Sequence, residues 1–172
     1  MESLARRALE IARAIQADAP VTYVPPSGGT TPRSQTVLPR ALVTGTRGYL
    51  ERVVDQINGS YENGWFDACA VMMRRLLETL IIECFEAHGI AAKIKDGSTG
   101  DFLRLSDLVA KTLQEPSWNL GRTAKKALPN LKLIGDQSAH SRRYNAHRED
   151  IDKLLPEFRT VSQELLYLSK LK

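Results

Sequence analysis

The chain is poor in the features that staple, anchor or metallate a protein. Its 172 residues hold two cysteines, Cys69 and Cys84, with no CxxC pair and no histidine at ligand spacing, so no zinc site is expected. Fifteen residues apart on one helix, they lie about 22 Å from each other and cannot bridge. They read as buried free thiols of a reducing compartment. Long apolar runs are also missing. The longest, residues 76–85, is broken by Glu78 and Glu83, and the N-terminal MESLARRALEIARAIQ is interrupted by Arg6, Arg7, Glu10 and Arg13. Neither a membrane span nor a signal peptide is predicted, and the expectation is a soluble, cytoplasmic protein without membrane contact. No P-loop, GxGxxG, HExxH, GxSxG elbow or DxD pair occurs, so no cofactor and no metal is expected. The glycines of PSGGTTPR lack the Lys-Ser/Thr and the strand-to-helix setting of a phosphate cradle. Alternation at period two is not sustained outside the linker, and no solenoid repeat appears, which excludes a β-sheet body and a repeat array.

What is present is helical. A hydrophobic fraction of 42% and a charged fraction of 26% suit one globular domain, large enough to bury a core without staples. Leu4, Ala8, Ile11 and Ile15 mark a short amphipathic helix that ends before Pro20. Residues 18–46 carry Pro20, Pro25, Pro26, Pro32 and Pro39 and read as an extended arm, with a short strand at 21–24 as an option. The division is therefore 1–46, helix and Pro/Gly-rich arm, and 47–172, helical body. Tyr49, Leu50, Val53, Val54 and Ile57 resume the helical period. Asn58-Gly59 and Asn63-Gly64 interrupt it, and the second pair forms a helix junction. FDACAVMMRRLLETLIIECFEAHG follows at residues 66–89, apolar in every direction at 100° per residue and capped by Gly89. Such a rod belongs in the middle of a bundle or partly in a dimer interface. Asp101 is read as the cap of a helix bearing Phe102, Leu105, Leu108, Val109 and Leu113, and Pro116 ends it. Another helix spans 121 to about 140, with Pro129 as N1 of its second half. The last begins near Arg148 and runs through Leu168, with a kink expected at Pro156. The fold class is all-α, a bundle of four to six helices with an N-terminal helix and a Pro-rich arm.

The formal charge of +4 is a mild excess that tolerates a phosphate-bearing partner without requiring one. Two polar groupings stand out. Arg74 and Glu78 share a face of the apolar rod, which reads first as an internal ion pair fixing helix register and second as an Arg offered to a phosphate. IGDQSAHSRRYNAHRED holds His140 and His147 with Arg142, Arg143 and Arg148. Histidine exchanges protons near neutrality and Arg holds phosphate bidentately, the minimum kit for cleaving a phosphodiester at its 2′-hydroxyl. A histidine beside a helix start is more often a cap or a satisfied structural residue.

RRLLETLI (Arg74, Arg75, Glu78), LKLIGDQSAH (Gly135, Asp136, His140) and the final amphipathic helix together resemble the HEPN superfamily of small helical bundles. The branch they are most similar to is the domain of unknown function 4145, with an R-R-x-L-E central helix and a later G-N-x-x-x-H. The similarity spans about residues 47–170. It implies a four- or five-helix bundle that pairs into a homodimer, and a place among accessory modules of bacterial defence and toxin–antitoxin systems, which recognise nucleotides, RNA or a partner protein. Active members are metal-independent RNases with an R-x(4–6)-H motif at the dimer cleft. Here His140 matches the histidine, Asp136 the polar residue before it, and Gly135 stands where the RNases keep Arg. Arg142 and His147 meet the R-x4-H spacing literally, but beyond His140.

Three functions follow in order. The first is a non-catalytic module that binds a partner, a nucleotide or RNA, with Arg74, Arg75, Glu78, Arg143 and Arg148 as ligand contacts. The second is a structural helical adaptor in which Asp136 and His140, four apart, hydrogen-bond to each other. The third is a metal-independent endoribonuclease using His140 or His147 as base, with Asp136 and Arg142 in the site and Arg142, Arg143 or Arg74 stabilising the phosphorane.

Overall fold

The computed structural model describes residues 6–7 and 37–172 and divides the chain into two units, Met1–Pro32 and Arg33–Lys172. In the first unit, Arg6 and Arg7 are helical. The expected strand at 21–24 and nearly all of the expected N-terminal helix lie outside the described residues.

The second unit is an all-α bundle. Among the described residues, five α-helices follow in order: α1 (Gly48–Glu62), α2 (Phe66–Ala87), α3 (Leu105–Gln114), α4 (Arg122–His140) and α5 (Arg148–Leu168). Short 3-10 turns at Arg40–Leu42 and Ala91–Ile94 precede α1 and follow α2. The apolar rod is the hub, since α2 packs against α1, α3, α4 and α5. Cys69, Ala70, Met73, Leu76, Leu77, Leu80, Ile81, Cys84 and Phe85 are all buried along it. Around the helix axis these residues point toward different neighbours, which leaves only a narrow stripe through Ala68, Arg75 and Glu86 exposed. Fully burying one such side chain contributes about 1.5–3 kcal/mol relative to leaving it in water. Phe85 meets Trp118 edge to face at 4.5 Å. The Cys84 thiol points at the Leu165 carbonyl, 3.2 Å away. Both thiols are free and buried, and burial pushes each up to about 12. Gly64 and Gly89, at φ +74° and +69°, end α1 and α2 in the left-handed geometry that glycine adopts without strain. No described helix is long and apolar enough to cross a membrane.

Four details differ from the sequence reading. Asn58-Gly59 does not interrupt α1, because Asn58 is spent on tertiary structure. Its side chain, 2% exposed, accepts from the amides of Val37 and Leu38 and donates to the Leu38 carbonyl, each at 3.0 Å. Consequently residues 37–46 belong to the body and not to an arm ending at 46. Val37, Leu38 and Val43 are fully buried, and Arg159 Nε donates to the Val37 carbonyl at 2.8 Å. Asp101 does not cap a helix. Phe102 pairs with Lys95 in an isolated antiparallel bridge, which holds residues 101–104 extended and delays α3 to Leu105. Finally, α4 is one helix through Pro129, which starts no second half, and α5 runs through Pro156.

Candidate functional site

The polar site grows from the place where α2 and α4 touch. A Cβ at Gly135 would lie 2.5 Å from Arg74 Cβ and 3.1 Å from the Ala70 carbonyl oxygen, so the two backbones meet where α4 has no side chain. A side chain at residue 135 therefore has no room in this contact. Just beside the contact, Arg74 folds across the interface. Its Nε donates to Asp136 Oδ1 at 2.8 Å and its Nη1 to Glu78 Oε2 at 3.4 Å. Lys132, one turn before Asp136, donates to the other carboxylate oxygen. Burial alone would raise the Asp136 carboxyl, but the hydrogen bonds and charges of Lys132 and Arg74 outweigh it and hold the group below the usual aspartate range. Asp136 is thus a fixed anion, committed to two cations.

These residues floor a groove of about 340 Å³ whose far wall is the start of α3. Arg104, Leu105 and Ser106 form that wall, and His140, the last residue of α4, closes one end. Arg104 and His140 are exposed, and their side chains make no hydrogen bond or ion pair among the described residues. The groove therefore holds two kinds of charge. Arg74 and Lys132 are neutralised by Asp136 and Glu78, while Arg104 and His140 stand open to a ligand.

The structure brings Arg74, Glu78, Asp136 and His140 into this one groove and leaves the other candidates outside it. Arg75 is exposed elsewhere on α2, and Arg142 and Arg143 are exposed on the connection between α4 and α5. His147 is the N-cap residue of α5, where its amide donates to Asp150 Oδ2 at 3.0 Å. Arg148 donates to the Tyr61 hydroxyl at 3.0 Å, with its guanidinium over the rings of Tyr61 and Phe66 at 4.8 and 5.5 Å. Ala146 N donates to Asp67 Oδ1 at 2.9 Å. The 146–148 segment thus locks the start of α5 onto the α1–α2 corner, which gives His147 and Arg148 architectural work. The hydrogen bond expected between Asp136 and His140 is absent, because two cations hold the carboxylate against a single imidazole.

Chemically, the groove can bind an anion through Arg104 and His140 over a floor whose charges are already paired. One histidine beside a pinned carboxylate does not supply a free acid–base pair. No group of acidic, histidine or cysteine side chains among the described residues could hold a metal ion. Arg104, Ser106 and Lys132 escaped the sequence reading. The four-residue step from Lys132 to Asp136 was a readable signal, whereas nothing local marks Arg104, which reaches the groove through the 95–104 loop. No protein-family model, no curated protein and no solved structure matches this chain.

Proposed function

We propose that this protein is a HEPN-like binding module, homodimeric and non-catalytic, that takes a phosphate-bearing ligand, a nucleotide or RNA, in the α2–α3–α4 groove. The observation that carries the reading is the pairing of open Arg104 and His140 with a pinned Arg74–Asp136–Lys132 floor. A neutralised floor resists collapse around its own charges, Arg104 supplies a charged phosphate contact and His140 a ring nitrogen that can hydrogen-bond. The resemblance adds the expected setting, an accessory part of a bacterial defence or toxin–antitoxin system. Cleavage is the less supported reading, because Arg142, Arg143 and His147 do not line the groove that holds His140, and Gly135 stands where the resemblance would place the arginine.

Titration of the full chain with a short single-stranded RNA, in EDTA and at several salt concentrations, tests this. Saturable binding that weakens with salt, without cleavage, is expected. One phosphate neutralised by Arg104 predicts a log–log salt slope near −0.7, from about 0.7 per single-strand phosphate. Combined Arg104→Ala and His140→Ala should abolish it. No binding at 100-fold excess of RNA, or binding unchanged in that double variant, removes the proposal, and cleavage lost with His140→Ala replaces it with the nuclease. Light scattering reads the pairing, and a monomer at micromolar concentration discards the homodimer.

A further inference from the structure

Beside the groove, residues 94–96 and 101–103 pair into a short ledge. Leu103 N donates to the Ile94 carbonyl at 2.9 Å, Asp96 N to the Asp101 carbonyl at 2.8 Å, and Lys95 pairs with Phe102. Side chains alternate along extended chain, so 102 and 104 project to one side and 103 to the other. Leu103 packs on the core, while Phe102 and Arg104 on the other side are exposed. The Phe102 ring, 39% exposed, therefore stands on the same side of the segment as Arg104, which lines the groove. Two residues of extended chain separate their Cα atoms by about 6.6 Å, the scale of one nucleotide from phosphate to base. Lys95 Nζ lies 5.2 Å from the ring centroid.

An exposed aromatic alone is ordinary on a protein surface. Phe102 differs in being fixed by a backbone bridge, with the Lys95 ammonium over one face of its ring and the other face left for a base, and in lying on the same side of the segment as an unpaired arginine of an anion groove. We infer that Phe102 is a stacking platform continuous with the groove, so that the ligand is a base-bearing strand: a phosphate on Arg104 and His140, its base on the Phe102 ring. The inference rests on the groove reading of the preceding subsection and specifies its ligand. Stacking tolerates any base, since every base has a π-face, so the platform selects for the presence of a base and not for a sequence. Lys95, on a flexible four-carbon stem, turns from the ring face toward the backbone of the bound strand.

The test compares hexameric oligoadenylate with an abasic ribose-phosphate hexamer of equal charge, each titrated into the full chain in EDTA at low salt. The oligoadenylate is expected to bind roughly 5- to 150-fold tighter, the ratio equivalent to one stacked base. Phe102→Ala should erase that ratio and leave the abasic affinity unchanged. Phe102→Leu, which keeps apolar bulk without a π-face, should erase it too, and Phe102→Tyr should keep it. Equal binding of the two hexamers, or a Phe102→Ala loss shared by both, overturns the platform while the groove survives if Arg104→Ala still weakens binding. If neither hexamer binds, groove and platform fall together.

Discussion

Gly135→Ala tests the α2–α4 contact on which the groove depends. In an unobstructed helix interior, replacing glycine by alanine stabilises by about 0.5–1 kcal/mol, because the unfolded chain loses freedom. At residue 135 the new Cβ would sit 2.5 Å from Arg74 Cβ, and ordinary contact starts at 3.4 Å. The obstructing atom is bonded directly to the α2 backbone, so rotamer change in Arg74 does not relieve it. The helices must separate by about 0.9 Å at this point. Overpacking of this kind costs about 1–3 kcal/mol. After the helical gain the net loss is roughly 0.5–2 kcal/mol, or about 2–8 °C in melting temperature for a domain of this size. Gly59→Ala is the control. Gly59 lies within α1 with nothing within 4 Å of a built Cβ, so that variant should melt at or above the wild type. Arg74→Ala in the Gly135→Ala background should not rescue, because the obstructing Cβ remains. Differential scanning calorimetry of the four proteins decides. Gly135→Ala as stable as Gly59→Ala, or rescue by Arg74→Ala, would refute the close approach. On the same grounds, Gly135→Arg should unfold the α2–α4 pair and not confer RNA cleavage.

Asn58→Leu strands two buried amides and a carbonyl, each worth about 1–3 kcal/mol. Urea unfolding should show a loss of at least about 3 kcal/mol, and a change below 0.5 kcal/mol would mean that the segment at Val37 is held by other contacts. Cys69 and Cys84, pushed up to about 12 by burial, should ignore an aromatic disulfide reagent at pH 8 and react fully in urea; rapid labelling of the native protein contradicts their burial. Asp136→Asn should cost about 1–2 kcal/mol at pH 7, by loss of charged hydrogen bonds to Arg74 and Lys132. Because the folded carboxyl is depressed, its stabilisation is present above the ordinary value of 3.8 and fades as pH falls through the lower folded one, so the gap from wild type should close in acid. A gap constant down to pH 2 would contradict the ion network.

The central rod was legible because its chemistry is independent of context: apolar side chains at every helical angle demand neighbours on every side. The end of α1 at Asn63-Gly64 and the end of α2 at Gly89 were legible for a related reason, since positive φ favours glycine locally. Asn58 was misread because an Asn-Gly pair signals a turn only when its amide is free, and here the partners lie about twenty residues upstream. Asp101 failed likewise: a good capping residue lost to a bridge between Lys95 and Phe102, which no local pattern announces. Of the groove's residues, the four-residue step joined Arg74 to Glu78, His140 stood out among neighbouring arginines, and Asp136 came in only through the resemblance. Their division into spent and open charges was not legible, because it depends on which helices meet.

That division decides what the motif residues can be used for. Arg74 and Glu78 sit on α2, Asp136 on α4, and their ion network spans a contact made close by Gly135. A carboxylate pinned between two cations is stabilised as an anion, which makes it a strong hydrogen-bond acceptor and a poor proton donor or acceptor near neutrality. The same network keeps Arg74 and Lys132 from offering full charge to a phosphate. Arg104 at the start of α3 and His140 at the end of α4, the groups on which the proposed recognition rests, carry no opposing carboxylate among the described residues. The charges at the α2–α4 contact hold the helices, and the charges at the rim face the solvent from which a ligand arrives. A groove built this way can change its ligand by substitutions at the rim while the bundle beneath it stays intact.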